Sequence, residues 1–287
     1  EDLNSRPDCS PSRWVIDFGD RAEADAATYA VPYARVLERV KPERAKLAGR
    51  NSSGDDRAKN WWKFGRRTPA LTRAIGELSE AFAITRVSKT VMPVRVPTDQ
   101  VFSDSLIAFA SADYSGQAVL SSSLHQLWAI TYGSTLETRV RYTPSDVFDT
   151  FPRPASTERL EKAGRALDTE RREVMQRREL GLTKLYNLVN DPAIQGDADV
   201  ERLRAIHVEI DSAAVAAYGW DDVPLGHGFY SYRQAERWSI SPFARVELLD
   251  RLLAENHTRS GAHRLSSAGR EPAVPARAVA EDGTLSF

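Results

Sequence analysis

The tetrapeptide Phe151-Pro152-Arg153-Pro154 constrains the fold more than any other feature, because it separates two stretches of chain with different periodicities. Neither proline donates a backbone hydrogen bond, and each drives the residue before it out of the helical region, so helix and ladder both stop there. Upstream, β-rich runs at 14–18, 81–87, 92–96, 106–110 and 136–142 mix with helical stretches near 33–40, 70–78 and 118–130. Downstream the pattern is helical and charged. Ser156 or Thr157 can cap a helix with the stripe Leu160, Ala163, Leu167 and Val174, after which the apolar set moves to Met175, Leu182 and Val189. That shift predicts a long displaced helix or a broken pair. A second helix carries Leu203, Ile206, His207, Ile210, Ala213, Ala214 and Ala217 and ends with Gly219 at C′, and a third starts at Ser241-Pro242 and uses Val246, Leu249 and Leu253. The fold class is therefore α+β: a mixed α/β domain over 1–153, an α-helical domain over 154–258, and a tail over 259–287 whose composition predicts disorder.

Composition narrows the function classes. A chain of 287 residues with 41% hydrophobic and 28% charged content can bury one or two cores. The single cysteine, Cys9, allows no intramolecular disulfide and no Cys-rich zinc site, so no metal is expected. Neither a bilayer-length apolar run nor a signal-peptide pattern is present, which predicts a cytoplasmic chain without a membrane partner. The net charge of −1 conceals a polarity: residues 35–95 hold fifteen Lys/Arg against six Asp/Glu, whereas residues 156–287 hold eighteen against twenty-one. Arg50, Arg57, Lys59, Lys63, Arg66, Arg67 and Lys89, interleaved with Trp61, Trp62 and Phe64, suit phosphate neutralisation with counterion release, although ordinary helix surface charge gives the same count. For Trp61 and Trp62, core packing is the better expectation than base stacking. Arg outnumbers Lys by 32 to 7, which suits bidentate contacts but also follows from a G·C-rich genome.

The segment 136–142 carries the sharpest functional pattern. Glu137, Arg139 and Arg141 recur every second residue and on a strand project from one face. Arg grips guanine O6 and N7 with two donors and Glu accepts from cytosine N4, so the row is chemically suited to major-groove edges of G·C pairs. A solvated strand face with an internal salt bridge has the same spacing.

The surrounding blocks bring in a family. Asp2-Leu3-Asn4-Ser5-Arg6-Pro7, Ser12-Arg13-Trp14-Val15-Ile16-Asp17-Phe18, Val40-Lys41-Pro42-Glu43-Arg44, Trp61-Trp62 and Arg86-Val87-Ser88-Lys89 precede the row. Gly181-Leu182-Thr183-Lys184, Arg204-Ala205-Ile206-His207-Val208-Glu209 and Gly226-His227-Gly228-Phe229 follow it. In order and number these blocks resemble the target-recognition region and C-terminal part of MmeI-like restriction-modification proteins, which join an adenine methyltransferase, a recognition domain and often a nuclease. The resemblance implies that Glu137, Arg139 and Arg141 choose the recognised base pair of double-stranded DNA. Arg50, Lys59, Lys63, Arg66, Arg67 and Lys89 are the expected contacts to its backbone.

The chain lacks the catalytic parts of such proteins. It contains no Pro-Pro pair, hence no Asn-Pro-Pro-Tyr/Phe motif to hold a flipped adenine. None of its lysines has an acid two residues before it, as the common nuclease core requires. Methylation with S-adenosylmethionine is thus expected of upstream domains in a longer protein, and no cofactor is expected in this chain. A stand-alone specificity module serving a separate methyltransferase in trans is the alternative.

Other residues invite catalytic readings. On a helix His207 and Asp211 share a face while Glu209 turns away, so they do not form a three-ligand site, and a packed histidine is expected. A hydrolase built on His207 and Asp211 has little support. His125 is expected to make a structural hydrogen bond, Gly226-His227-Gly228-Phe229 to form a turn, and Ser121–Ser123, without the glycines of a nucleophile elbow, to cap a helix.

Overall fold

Caps and prolines place the first elements of the computed structural model, which describes residues 2–65, 68–89, 91–136, 139–232 and 235–268. Short helices come first: α1 (Asp2–Ser5), α2 (Glu23–Ala27), α3 (Ala30–Arg39), α4 (Lys41–Ala45), α5 (Ser52–Lys59) and α6 (Pro69–Ile75). Asn51 caps α5 by accepting from the Gly54 amide at 2.8 Å, and prolines occupy the first turns of α4 and α6. The expected strand at 14–18 does not form. Phe18 instead packs with Ala26, Val36 and Trp61 in a small apolar cluster, with Ile16 and Trp62 beside it, so these residues lose water without needing a ladder. Trp61 is a core residue, and Trp62 packs half-buried beside it, its indole donating to the Arg21 carbonyl at 3.0 Å.

The next stretch builds two three-stranded antiparallel sheets. β1 (Glu80–Thr85) lies between β3 (Val94–Pro97) and β4 (Leu106–Phe109). The second sheet places β6 (Arg139–Arg141) between β2 (Val87–Ser88) and β5 (Ser134–Leu136). Between them come α7 (Tyr114–Ser121) and α8 (Ser123–Tyr132), and after them α9 (Pro144–Val147). The expected helix over 118–130 is broken at Ser122, whose hydroxyl accepts from the His125 amide at 3.2 Å and so starts α8 anew. This is the capping role expected of the serine run.

Three long helices follow. Thr157 caps α10 (Glu158–Arg177) by accepting from the Leu160 amide at 3.2 Å, and α11 (Leu182–Val189) completes the broken pair. Then α12 (Ala198–Tyr218) ends on Gly219, whose φ of 73° is the left-handed conformation a C′ glycine supplies. An unforeseen hairpin, β7 (Gly228–Tyr232) and β8 (Ala235–Ser239), precedes α13 (Pro242–Ala268). The buried stripe of α13 is Ala244, Leu248 and Leu252, not the expected one: Val246 is exposed, and Leu249 and Leu253 are half-buried at its margin. The helix also runs past the expected start of the tail at 259, and residues 269–287 lie outside the described residues. No described helix is long and apolar enough to cross a membrane.

One apolar core serves both sides of the proline break. Leu3, Phe82, Ile84, Leu124 and Trp128 belong to the same cluster as Leu160, Leu167, Leu182, Leu203, Ile210 and Leu248. The break itself is packed: Phe151 is buried against His125 and Trp128, with ring centroids 5.0 and 6.0 Å away. From the other side, the Tyr218 hydroxyl donates to the Pro152 carbonyl at 2.8 Å.

α7 and α10 approach closely at Gly164. A Cβ on Gly164 would sit 1.9 Å from the Tyr114 carbonyl oxygen, a backbone atom that cannot swing aside. Gly164→Ala improves helix propensity by about 1 kcal/mol, but overpacking costs typically 1–3 kcal/mol and more against rigid backbone. The substitution should therefore lower the urea midpoint of unfolding. A midpoint that rises, as propensity alone dictates, would show that α10 does not press on α7.

Candidate nucleic-acid interface

The register of the second sheet decides which residues share a face with the arginines of β6. Ser134 pairs with Arg141, Thr135 with Val140 and Leu136 with Arg139, while on the other edge Val87 pairs with Arg141 and Ser88 with Val140. Alternation turns Val140 inward, where it is buried, and leaves Arg139 and Arg141 on the opposite face, both exposed. The expected single strand over 136–142 is thus two strands, with Leu136 on one and Arg139 on the other. Glu137 lies outside the described residues. Lys89, expected on the DNA backbone, directly follows β2 and is exposed, and the antiparallel register carries it toward Arg139.

Buried contacts hold this sheet to the core. Arg86 links the two sheets: its amide donates to the Ser105 carbonyl at 2.8 Å and its carbonyl accepts from the Tyr142 amide at 2.7 Å. Tyr142 comes immediately after Arg141 and is buried, its ring edge-on to Phe109. Its hydroxyl meets His125 Nε2 of α8 at 3.0 Å, while His125 Nδ1 lies 2.9 Å from the Leu120 carbonyl. A carbonyl only accepts, so Nδ1 carries the proton and Tyr142 donates to Nε2. Burial pushes His125 down to about 4 and raises Tyr142, which keeps both neutral. The structural role expected for His125 is what the geometry shows.

The other expected DNA contacts sit on the small N-terminal cluster. Arg50 follows α4, Lys59 ends α5, and both are exposed. Lys63 is half-buried, donating to the Asp20 carbonyl at 2.9 Å over the Trp62 ring, so part of its hydrogen-bonding capacity is structural. Arg66 and Arg67 lie outside the described residues. Trp14, inside the run whose pattern predicts a strand, is instead fully exposed beside Arg13.

A second polar cluster was missed in the sequence. Asp211, buried on α12, accepts from the Ser123 amide and hydroxyl, each at 2.6 Å, and from His227 Nε2 at 2.8 Å. Serine, histidine and aspartate meet here, but the serine hydroxyl donates its hydrogen bond directly to the carboxylate and no histidine stands between them to act as the base of a Ser-His-Asp triad. Asp211 instead ties the start of α8 to the irregular segment before β7, where Gly226 has a φ of 55°; the turn expected over Gly226–Phe229 gives way to the strand, because Gly228 and Phe229 pair with Ser239 and Trp238 in β7. His207 pairs with the Tyr186 hydroxyl at 2.8 Å and burial lowers it to about 4, while Glu209 points away to Arg159 at 2.7 Å. Among the described residues no group of His, Cys, Asp and Glu is placed to hold a metal. Only the shared face of His207 and Asp211 was readable in advance, because the partners of Asp211 lie 88 and 16 residues away.

Comparison with known proteins adds the following. A family model described as MmeI, target recognition domain, matches residues 10–155, which include β1 to β6 and every residue named above for DNA contact. Among solved structures the chain is similar to one described as the type IIL restriction-modification enzyme MmeI in complex with DNA, with a TM-score of 0.58 and 20% identity. The likeness covers 84% of this chain, reaching past the family match into the helical half, and 28% of that chain. At that identity it speaks for the fold. No curated protein matches the chain.

The two neutral histidines predict a pH response. Their folded values near 4 lie below the ordinary 6.5, so between pH 6.5 and 4 the unfolded chain binds protons that the folded chain refuses. Their contribution is complete above pH 6.5 and is lost as pH falls, at up to about 1.4 kcal/mol per unit for each histidine. Urea midpoints should drop between pH 7 and pH 5 while both imidazoles stay neutral by NMR. Midpoints that stay flat, or imidazoles that titrate near 6.5, would contradict the buried pairing.

Proposed function

Because the chain belongs to the MmeI target-recognition-domain family, we propose that it reads a specific sequence in double-stranded DNA and delivers that site to an adenine-N6 methyltransferase. The observation that carries this reading is the sheet face of β6, where Arg139 and Arg141 are exposed in register while Val140 and Tyr142 fix the strand from behind. Arg139 and Arg141, with Glu137 from the same row, read base edges. Lys89, Arg50, Lys59, Lys63, Arg66 and Arg67 hold the phosphates, which positions the reader without adding sequence information. The related MmeI structure contains DNA, which supports DNA as the partner here.

Methyl transfer would belong to a methyltransferase domain outside these residues, acting on an adenine flipped from the duplex. The methyl donor would be S-adenosylmethionine, held by the methyltransferase domain. The cavity bounded by α11, α12 and β8 has a volume of about 80 Å³ and is lined by Arg171, Arg237 and Arg245, a poor match for a large ligand with a cationic sulfonium. The assembly would act in the cytoplasm as a restriction-modification system against phage DNA.

The test is a set of binding titrations with the purified chain against sequences selected from a random duplex pool. Arg139→Ala and Arg141→Ala should each relax the preference at one base pair by about 1–3 kcal/mol while binding to unrelated duplexes barely changes. Arg50→Ala with Lys59→Ala should weaken all sequences alike and flatten the salt dependence by up to about two units of slope. A solvated salt-bridge face predicts the same selected sequence from every variant, and that outcome would remove the reading.

A further inference from the structure

The same cavity between α8, α11, α12 and β8 holds an unusual set of donors. Its volume of about 80 Å³ is several times the roughly 10–15 Å³ that one water needs. Arg171, from α10, is 1% exposed, sends Nη2 to the Pro93 carbonyl at 2.8 Å and interacts with the Tyr186 hydroxyl, whereas its Nη1 is buried with no acceptor in good hydrogen-bond geometry. Two more buried atoms on the cavity wall have no partner: the indole Nε1 of Trp238 and the hydroxyl of Ser121. Trp238 is held in place through its own amide, which donates to Asn190 Oδ1 at 3.2 Å.

The charge of the wall points the same way as its donors. Arg171, Arg237 and Arg245 contribute three cations, and burial lowers the pKa of Arg237. Asp211 is the carboxylate on the wall, and its oxygens already serve Ser123 and His227. His207 is neutral at pH 7. A buried guanidinium N–H without an acceptor costs several kcal/mol, and a neutral water relieves the hydrogen bond but not the charge. An oxyanion relieves both, through short charge-assisted bonds in the plane of the guanidinium.

We propose that this cavity is a binding site for a compact oxyanion of the phosphate type, free or carried on a small molecule, held by Arg171 Nη1, Trp238 Nε1 and the Ser121 hydroxyl. Its occupant bridges α10, the α7–α8 junction and the β7–β8 hairpin. Binding therefore stabilises the hairpin against the core, and the site stands independently of DNA reading.

The experiment is thermal unfolding of the purified chain with inorganic phosphate titrated against chloride at constant ionic strength. Phosphate should raise the Tm saturably, and Trp238→Phe and Ser121→Ala, which keep size and fold, should each weaken the apparent affinity about tenfold. Arg171→Met should abolish the rise. No rise beyond that given by chloride would overturn the proposal. So would a rise of equal half-saturation in the wild type, Trp238→Phe and Ser121→Ala.

Discussion

The arrangement of the candidate interface rests on one buried hydrogen bond, between His125 Nε2 and the Tyr142 hydroxyl at 3.0 Å. Tyr142 follows Arg141 in the chain, so whatever fixes the phenol fixes the direction of the arginine face. His125 is anchored in turn by the Leu120 carbonyl and by Phe151 against its ring. Removing one partner leaves the other buried and unpaired, at about 1–3 kcal/mol, and also frees the strand. A reading face must hold its side chains to within a fraction of an ångström, and short strands achieve that only through such support from behind.

Packing across the proline segment extends the same logic. Phe151-Pro152-Arg153-Pro154 ends regular structure, as the chemistry of proline requires, but it does not end the core. Trp128 donates to Thr150 Oγ1 at 3.0 Å from one side, and Asn256 to the Thr150 carbonyl at 2.6 Å from the other. A polar ladder adds to the join: Arg172 of α10 reaches Asp168, Glu80 and the Arg95 carbonyl, and Arg95 closes on Glu80 at 2.7 Å. The helical half thereby buttresses β1 and β3.

Much of this was legible in the sequence wherever the signal was local. Thr157, Gly219 and Ser241-Pro242 marked helix ends because capping chemistry acts within a few residues, and the stripe of α10 was readable because its buried residues repeat at helical spacing. Strand positions at β1, β3 and β4 followed from their apolar runs. Over 136–142 the alternation of Glu137, Arg139 and Arg141 predicts a single strand, whereas Leu136 ends β5 and β6 begins at Arg139, because strand periodicity by itself does not mark where one strand gives way to the next. β7 and β8 were missed because Gly228 and the polar Arg237 interrupt the alternation, while what orders them is the Phe229–Trp238 contact at 5.2 Å. Spacing alone selects Val246 for the core of α13, whereas tertiary contact buries Leu248 and Leu252. The cavity donors come from Ser121, Arg171 and Trp238, and no local pattern connects residues so far apart.

The central claim, that the arginines of β6 contact guanine edges, is tested most directly by coupling a side chain to a single base atom. Replacing each guanine of the selected duplex in turn by 7-deazaguanine removes the N7 acceptor and leaves pairing intact. Measured in a double cycle with Arg139→Ala and Arg141→Ala, one guanine should couple to each arginine by at least about 1 kcal/mol, so that deletion of N7 costs the wild type and not the matching variant. Additive losses at every guanine would show that the β6 face does not touch the bases.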